Sequence, residues 1–283
     1  MSKIILSADS ACDLDDLLMK RYHVNCYPYH ISLGDKQYLD GVNITAEEIY
    51  AVYRQQRILP RTAAITPAEY IKYFKQWTNE GYEVIHISLG SGFSSSYQNC
   101  CLAAQELKNV YPIDSRTLST GIGLLIIEAA ERISQGMSAQ EIREDINMLR
   151  AKSQVSFILD TLTFIHAGGR CSGIAKLGAN LLSIKPCIEV DSTVGKMCVG
   201  KKYRGSLDKV LKKYVRDKIS GCKNLNLNRI FITHSGISSE RISLVKETVQ
   251  ELADFKEIFV VQAGCTIASH CGPNTLGVVF MTN

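Results

Sequence analysis

Residues 84–104 join a strand to a helix through a loop of glycines and hydroxyls. Residues 84–88 form a short apolar, β-branched run, which is typical of a buried strand. Residues 90–96 follow with two glycines and end in three serines, where helical spacing begins. Such a loop presents free backbone N–H groups, hydroxyls and the positive end of a helix to one point. The stretch therefore predicts an anion-binding site, although helix capping by Ser95 or Ser96 alone would also explain it.

The composition is typical of an ordinary globular protein. The 283 residues are 46% hydrophobic and 21% charged, which permits a large core and one or two domains. We find no N-terminal secretion signal and no apolar run of about 18 residues, so we expect a cytoplasmic protein with at most transient membrane contact. The formal net charge of +4 is too small to favour a nucleic-acid partner.

The cysteine pattern favours reduced thiols. Cys100 and Cys101 are adjacent, and the chain contains no C-x-x-C pair. Cys265, His270 and Cys271 lie close together but lack a fourth ligand with suitable spacing. We therefore expect neither disulfides nor a bound metal.

Strands alternate with helices through the first half of the chain, and capping boxes mark helix starts at Thr45, Thr66 and Ser138. This alternation predicts βαβ units and a largely parallel sheet. The pattern changes after residue 159: a helix over about residues 174–182 precedes two strands, 185–190 and 197–203, joined as a meander. We therefore predict an α/β fold with a mostly parallel N-terminal domain (1–160) and a second α/β domain (161–283) whose sheet is mixed or antiparallel.

Familiar catalytic motifs are absent from the sequence. There is no G-x-S-x-G nucleophile elbow, no Walker sequence and no complete dinucleotide fingerprint, so we expect no ATP site. Residues 269–274 read as a tight loop of small residues between two strands. Loops of this kind often hold functional side chains, which makes His270 a candidate.

Taken together, the motifs resemble those of the DegV family over essentially the whole chain. No single motif is specific, but their order and spacing are. Four segments resemble family patterns: Asp9-Ser10-Ala11-Cys12-Asp13-Leu14 is similar to D-S-T-S-D-L, residues 62–70 to T-S-Q-P-S-P-A-E-F, Gly92-Phe93-Ser94-Ser95-Ser96-Tyr97-Gln98 to G-L-S-G-T-Y-Q, and His270-Cys271-Gly272-Pro273 to H-T-G-P-G. Three further segments fall in the family order and spacing: Ile113-Asp114-Ser115-Arg116, Gly168-Gly169-Arg170 and Leu182-Ser183-Ile184-Lys185-Pro186.

The resemblance implies that the protein binds one long-chain fatty acid in a buried tunnel between two domains. It assigns the carboxylate to Thr62, Ser94 and His270, and it places Arg170 and Arg204 near the mouth. There they would face a separate fatty acid kinase subunit, which phosphorylates the presented acid in bacterial phospholipid metabolism. The resemblance implies a binding subunit without catalytic residues, cofactor or metal.

The sequence departs from the family pattern around the implied site. Residues 63–65 replace a polar-and-proline segment, Ser95 stands where glycine is usual, and Asn274 replaces the second glycine of G-P-G. None of these changes removes an implied carboxylate ligand. They do leave open the shapes of the loops around Thr62 and His270.

Other interpretations of the same residues stay open. Thr62 and Ser94 could be helix caps or turn formers, Arg170 could brace its own glycine turn, and Arg204 could belong to a solvated basic face. A Ser/His acyl hydrolase using Ser94 and His270 is an alternative function, as is a carrier of another carboxylate lipid. If His270 binds the carboxylate, we expect acidification through the usual histidine range to strengthen binding.

Overall fold

The computed structural model describes residues 3–171, 173–174 and 184–283. Within this part of the chain the strands are β1 (Ile4–Asp9), β2 (Val24–Tyr27), β3 (His30–Leu33), β4 (Lys36–Leu39), β5 (Arg61–Ala63), β6 (Glu83–Ser88), β7 (Val110–Asp114), β8 (Ser153–Ile158), β9 (Ile184–Asp191), β10 (Lys196–Arg204), β11 (Leu225–Ser235), β12 (Glu257–Gln262) and β13 (Thr275–Thr282). The α-helices are α1 (Asp16–Arg21), α2 (Ala46–Gln56), α3 (Pro67–Thr78), α4 (Ser96–Glu106), α5 (Thr120–Ser134), α6 (Ala139–Leu149), α7 (Thr163–Gly168), α8 (Leu207–Ser220), α9 (Ser239–Leu252) and α10 (Cys265–Cys271).

The strands form three sheets. The first is entirely parallel, in the order β2-β1-β6-β7, as the alternation of strands and helices predicts. The second has six strands in the order β10-β9-β8-β13-β11-β12, and it is mixed because only its β11–β12 pair is parallel. The third is a small antiparallel sheet, β4-β3-β5. The predicted α/β class, with a parallel sheet followed by a mixed one, is confirmed.

Strand β8 precedes the predicted domain boundary at residue 160 but belongs to the second sheet. It pairs antiparallel with both β9 and β13, where Val155 faces Val190 and Val279. The chain therefore passes from the first sheet to the second before Ser153, because a strand belongs to the sheet whose strands it is hydrogen-bonded to. The division into domains 1–160 and 161–283 stays a prediction.

Local sequence signals account for the main helices. At Thr45, Thr66 and Ser138 each hydroxyl accepts a hydrogen bond from the N–H of a glutamate three residues later, and that glutamate's carboxylate bonds back. All ten cysteines are free thiols. None of the helices in the described ranges is long and apolar enough to cross a membrane.

The prediction that residues 269–274 form a loop is wrong for its first half. Helix α10 runs through His270 and ends at Cys271. Its seven residues are mostly small, so they show no amphipathic period that could reveal a helix. Strand β5 and helix α7 are also shorter than a periodic pattern can resolve. The helix predicted over residues 174–182 lies almost wholly outside the described residues.

The third sheet and α2 pack against helices α7 and α10. Their shared apolar cluster consists of Ile31, Leu33, Ile44, Ala46, Ile49, Tyr50, Phe164, Cys265 and Ala268. Tyr50 strengthens the contact, because its hydroxyl is hydrogen-bonded to Ser235 and donates to the Ala268 carbonyl at 3.3 Å. The N-terminal part of the chain and the C-terminal helices therefore share a core.

Two buried carboxylates from the N-terminal part hold the N-terminus of α10. Asp40 accepts hydrogen bonds from the N–H groups of Cys265 (2.7 Å) and Thr266 (3.1 Å), and Asp13 accepts from Gly264 N–H at 2.9 Å. The side chains of both aspartates are almost completely buried. They accept hydrogen bonds from N–H groups at the start of the helix that have no partner within the helix itself.

We predict that Asp40→Ala lowers the free energy of unfolding by about 2–3 kcal/mol, because it removes a helix cap and leaves buried N–H groups unpaired. Urea unfolding followed by circular dichroism measures this change. Asp35→Ala, in the exposed turn of the same hairpin, is the matched control and should leave the midpoint unchanged. An Asp40→Ala midpoint equal to that of the wild type would contradict the role assigned to this cap.

Candidate functional site

A cavity of about 180 Å³ is lined by both parts of the chain. Tyr29, Thr62 and Ser94 line it from the N-terminal part, and Arg170 and His270 line it from the C-terminal part. Three of these residues are those to which the family resemblance assigns the carboxylate, and a fourth is a residue that it places near the mouth. The fold therefore brings residues more than 200 positions apart in the chain to one cavity.

Thr62 and His270 are in direct contact. Thr62 lies in β5, which pairs with β3 so that Thr62 faces Ile31. His270 lies in the last turn of α10, and its Nε2 is 2.8 Å from the Thr62 hydroxyl oxygen. The hydrogen bond connects the third sheet to α10 at the edge of the cavity.

The position of His270 Nδ1 explains why residue 168 is a glycine. Within the described residues His270 Nδ1 is buried and has no hydrogen-bond partner. A Cβ atom at position 168 would lie 2.3 Å from it, so only glycine allows α7 to pass this close to the ring. Gly169 then ends α7 in the left-handed conformation, with φ +67°, and the chain turns to present Arg170 to the cavity.

Burial, together with the nearby charge of Arg170, lowers the pKa of His270 to about 4. The imidazole is therefore neutral near pH 7. In the ligand-free protein His270 therefore gains its proton below the usual histidine range, and the effect of acidification on binding stays a prediction.

Ser94 has its acceptor capacity filled by the protein. Its hydroxyl oxygen accepts from the Tyr29 hydroxyl and from Ser96 N–H, both at 3.2 Å. A serine oxygen has two lone pairs and one hydrogen, so the hydrogen is what remains for another partner. In this structure that hydrogen is donated to Ser96 Oγ at 3.1 Å. Ser95, the expected cap residue of α4, makes no side-chain capping bond.

A buried polar network lies behind Tyr29. Asp9 accepts from the Tyr70 hydroxyl at 2.6 Å and from Leu89 N–H at 2.9 Å, and its Oδ1 is 3.0 Å from His86 Nε2. Burial and the Asp9 charge raise the pKa of Tyr29 well above its usual value, so its hydroxyl keeps its proton, for which the Ser94 oxygen at 3.2 Å competes with Asp9 Oδ2 at 3.5 Å. Tyr29 is a cavity residue that the sequence reasoning missed. The available signal was a tyrosine between two strands, whose hydroxyl needs a partner once buried.

The loop that carries Ser94 packs against the hairpin of β9 and β10. A Cβ atom at Gly92 would lie only 2.0 Å from the Gly195 carbonyl oxygen, so the close approach requires glycine. Arg116, on the neighbouring loop, donates to the Thr193 carbonyl in the same hairpin turn. The second sheet therefore closes over the loop at one side of the cavity.

The two predicted arginines have different positions. Arg170 is exposed and lines the cavity, and it also donates to the carbonyls of Gly168 (2.6 Å) and Phe93 (3.4 Å). It therefore braces its glycine turn and faces the cavity at once. Arg204 is exposed at the end of β10 and is not among the described residues that line the cavity, so its role stays a prediction.

A smaller cavity of about 40 Å³ adjoins the first. The two share Leu118 and Ile267 in their linings, and the smaller one extends between α10 and the strands β8, β11 and β13. Its lining includes Val155, Phe157 and Val279. The hydrogen-bond donors of the larger cavity therefore adjoin an apolar path, the smaller cavity, which extends towards the second sheet.

Comparisons with known proteins match the whole chain. The family model described as an uncharacterised protein of the DegV family matches residues 3–283. The chain belongs to the DegV family. A DegV domain-containing protein of Clostridium perfringens is 30% identical over 284 residues, covering 99% of each chain.

Solved structures of this family have the same fold. A DegV family protein from Thermus thermophilus, described as binding fatty acid, superposes with a TM-score of 0.90 at 26% identity and covers 99% of this chain and 100% of its own. DegV from Bacillus subtilis, described as a fatty acid binding protein, has a TM-score of 0.85 at 21% identity over both entire chains.

The departures from the DegV pattern have local explanations. Ala63 and Ala64 line the cavity, and Ile65 is fully buried, where its N–H donates to Ser96 Oγ at 3.2 Å. Asn274 takes the left-handed conformation, with φ +58°, that glycine would supply. Its side chain donates to Asp160 at 3.1 Å.

We predict that His270 makes stability depend on pH. Because its pKa in the folded protein is about 4 against 6.5 when unfolded, the unfolded chain binds more protons between these values. The stabilisation is complete above pH 6.5 and is lost as the pH falls towards 4, by up to about 1.4 kcal/mol per pH unit. Urea unfolding of the ligand-free protein at pH 7 and pH 5 should show a smaller loss for His270→Gln than for the wild type.

His23→Asn is the control for this measurement, since His23 lies in an exposed turn. It should keep the pH dependence of the wild type. Equal pH dependence in His270→Gln and the wild type would show that His270 is not held neutral by burial.

Proposed function

We propose that this protein binds one long-chain fatty acid, with the carboxylate at the hydroxyls of Thr62 and Ser94, beside His270, and the acyl chain directed between the two main sheets. The observation that carries the proposal is the cavity where these three side chains and Arg170 meet, continued by an apolar path. The DegV relative from Thermus thermophilus, at 26% identity, supports the ligand class because it is described as binding fatty acid.

The neutral state of His270 leaves Thr62 as a hydrogen-bond donor to the ligand. A proton on Nε2 has the Thr62 oxygen as its partner, whereas a proton on Nδ1 would be buried without one. The Nε2–H form is therefore favoured, and it donates to Thr62. The threonine hydrogen is then available to the carboxylate.

Ser94 is prepared as a donor in a similar way. Because Tyr29 and the Ser96 N–H fill its lone pairs, its hydrogen can turn from Ser96 Oγ to a carboxylate oxygen. Tyr29 thus acts as a positioning residue. Such an arrangement favours an acceptor-only group, which an ionised carboxylate is and an alcohol is not.

The acyl chain would supply most of the affinity. A chain of about 14 methylenes contributes on the order of 11 kcal/mol at roughly 0.8 kcal/mol each, as an upper limit. Each charge-assisted hydrogen bond to the carboxylate adds roughly 1.5–3 kcal/mol. The polar residues accordingly fix which end of the ligand lies at the mouth.

The geometry disfavours an acyl hydrolase. His270 Nε2 contacts Thr62 rather than Ser94, and no acidic side chain among the described residues orients Nδ1. Its lowered pKa, about 4, also makes it a weak general base near pH 7. A carrier of a different carboxylate lipid would use the same donors, and identification of the bound ligand separates the two.

We also propose that the protein presents the carboxylate to a separate fatty acid kinase subunit. Arg170 supports this, because it is exposed at the cavity and can face both the carboxylate and an incoming phosphoryl group. Arg204 is exposed seven residues along β10 from the cavity residue Met197, and we propose that it contacts the kinase subunit away from the cavity. The sequence contains no phosphate-cradling glycine loop, so ATP would be bound by the partner.

Native mass spectrometry of protein made in bacteria tests both proposals. We expect a bound mass that matches a long-chain fatty acid, unchanged by ATP alone and converted to the acyl phosphate only when a fatty acid kinase subunit is added. A bound mass that matches a different carboxylate lipid would overturn the proposed ligand class. Acyl phosphate formed without the kinase subunit would overturn the proposal that the partner carries out the phosphorylation.

We predict that Ser94→Ala and Thr62→Ala each weaken fatty acid binding about ten- to a hundredfold, since each removes one charge-assisted hydrogen bond. Tyr29→Phe should weaken it less, because it removes only the bond that orients Ser94. Competition with a fluorescent fatty acid measures the affinities. The long-chain alcohol of equal length is the control ligand and should be affected little by these changes.

Ser32→Ala, on the strand beside Thr62, is the control variant and should bind the acid normally. Acid binding by Ser94→Ala and Thr62→Ala as tight as that of the wild type would place the carboxylate elsewhere.

A further inference from the structure

The hydroxyl of Thr266 is buried without a hydrogen-bond partner. Its side chain is 3% exposed, and its Oγ1 contacts no donor or acceptor of the described residues. A hydroxyl buried in this way costs about 1–3 kcal/mol unless something pairs with it. A partner from outside the protein is one way to recover that free energy.

Thr266 lines the same 180 Å³ cavity as His270. The two residues are four positions apart on α10 and so lie on one face of the helix, about 6 Å apart along its axis. The neighbouring lining residues Leu118 and Ile267 are apolar and cannot pair with the hydroxyl. The unpaired group therefore adjoins the space that the proposed ligand would fill, one helical turn from the carboxylate site.

Helix α10 holds Thr266 in place. Its N–H donates to Asp40 at 3.1 Å, and the adjacent Cys265 N–H donates to the same carboxylate at 2.7 Å. Because the backbone is fixed at two successive residues, the hydroxyl cannot move far to find another partner. A preorganised donor of this kind gives specificity to a ligand that matches it.

We propose that the protein selects long-chain acids that carry a hydroxyl group on the third carbon, and that Thr266 Oγ1 is hydrogen-bonded to that hydroxyl. The inference rests on the proposed fatty acid site. With the carboxylate beside His270, the third carbon lies about 2.5 Å further along the chain, and a hydrogen bond of about 3 Å spans the rest of the turn. An unsubstituted acid places a methylene there and leaves Thr266 unpaired.

Binding of hexadecanoic acid and of each enantiomer of 3-hydroxyhexadecanoic acid tests the proposal, by competition with a fluorescent fatty acid. We expect the wild type to bind one hydroxy enantiomer about tenfold more tightly than the unsubstituted acid. Thr266→Val keeps the shape and removes the hydroxyl, so it should lose this preference without weaker binding of hexadecanoic acid. Thr266→Ser should retain the preference.

Ser269→Ala is the matched control. Ser269 lies on the same helix and its hydroxyl is also buried without a partner, but it does not line the cavity. It should change the binding of neither acid. Urea unfolding of each variant shows whether the fold is kept.

The outcomes separate this inference from the proposed function. Failure of the wild type to bind any of the three acids overturns the fatty acid site itself. Tight binding of hexadecanoic acid without preference for a hydroxy enantiomer overturns the inference and leaves the site standing. If Thr266→Val weakens all three acids equally, Thr266 is bonded to the carboxylate, which also overturns the inference.

Discussion

The buried cap on α10 determines where His270 lies. Asp40 follows β4, and Thr62 lies in β5 of the same three-stranded sheet. This sheet therefore fixes one end of α10 through Asp40 and contacts the other end through Thr62 and His270. Because one contact comes from β5 and the other from the turn after β4, a single small sheet sets the distance between the Thr62 hydroxyl and the His270 imidazole. Residues at the two ends of the chain can thus form one site.

The Asp-Ser-x-x-Asp segment, which begins with the last residue of β1, connects the two sides of this site. Asp9 holds the Leu89 N–H ahead of the Ser94 loop, Ser10 donates to Asp40 at 2.8 Å, and Asp13 accepts from Gly264 at the start of α10. Five residues of sequence therefore reach both the serine side and the histidine side of the cavity. Burial raises the pKa of Asp13 well above its usual value, which is a cost that its bonds to Ser119 and Gly264 partly offset.

Local chemistry made the helices and the fold class predictable, and long-range geometry made the rest unpredictable. The capping boxes at Thr45, Thr66 and Ser138 each act within four residues, so the sequence contains all the information they need. The helix around His270 is fixed from outside, by an aspartate 225 positions from Cys265. Tyr29 reaches Ser94 across 65 positions, and no spacing rule connects them. Family resemblance grouped Thr62, Ser94 and His270, but the neutral state of the imidazole depends on burial that only the fold supplies.

That neutral state bears on how a carboxylate held here could react. Arg170 is the one cationic side chain among the described residues that line the cavity at neutral pH, and it lies at the exposed mouth. A carboxylate bound by neutral hydroxyls and paired with an exposed guanidinium keeps more of its electron density than one in a buried ion pair. Removing one partner of a buried ion pair costs about 3–5 kcal/mol, whereas each hydrogen bond from a hydroxyl to the carboxylate is worth roughly 1.5–3 kcal/mol. On the proposed function, the site would therefore bind the ligand mainly through its acyl chain, and the carboxylate would keep its ability to attack a phosphoryl group.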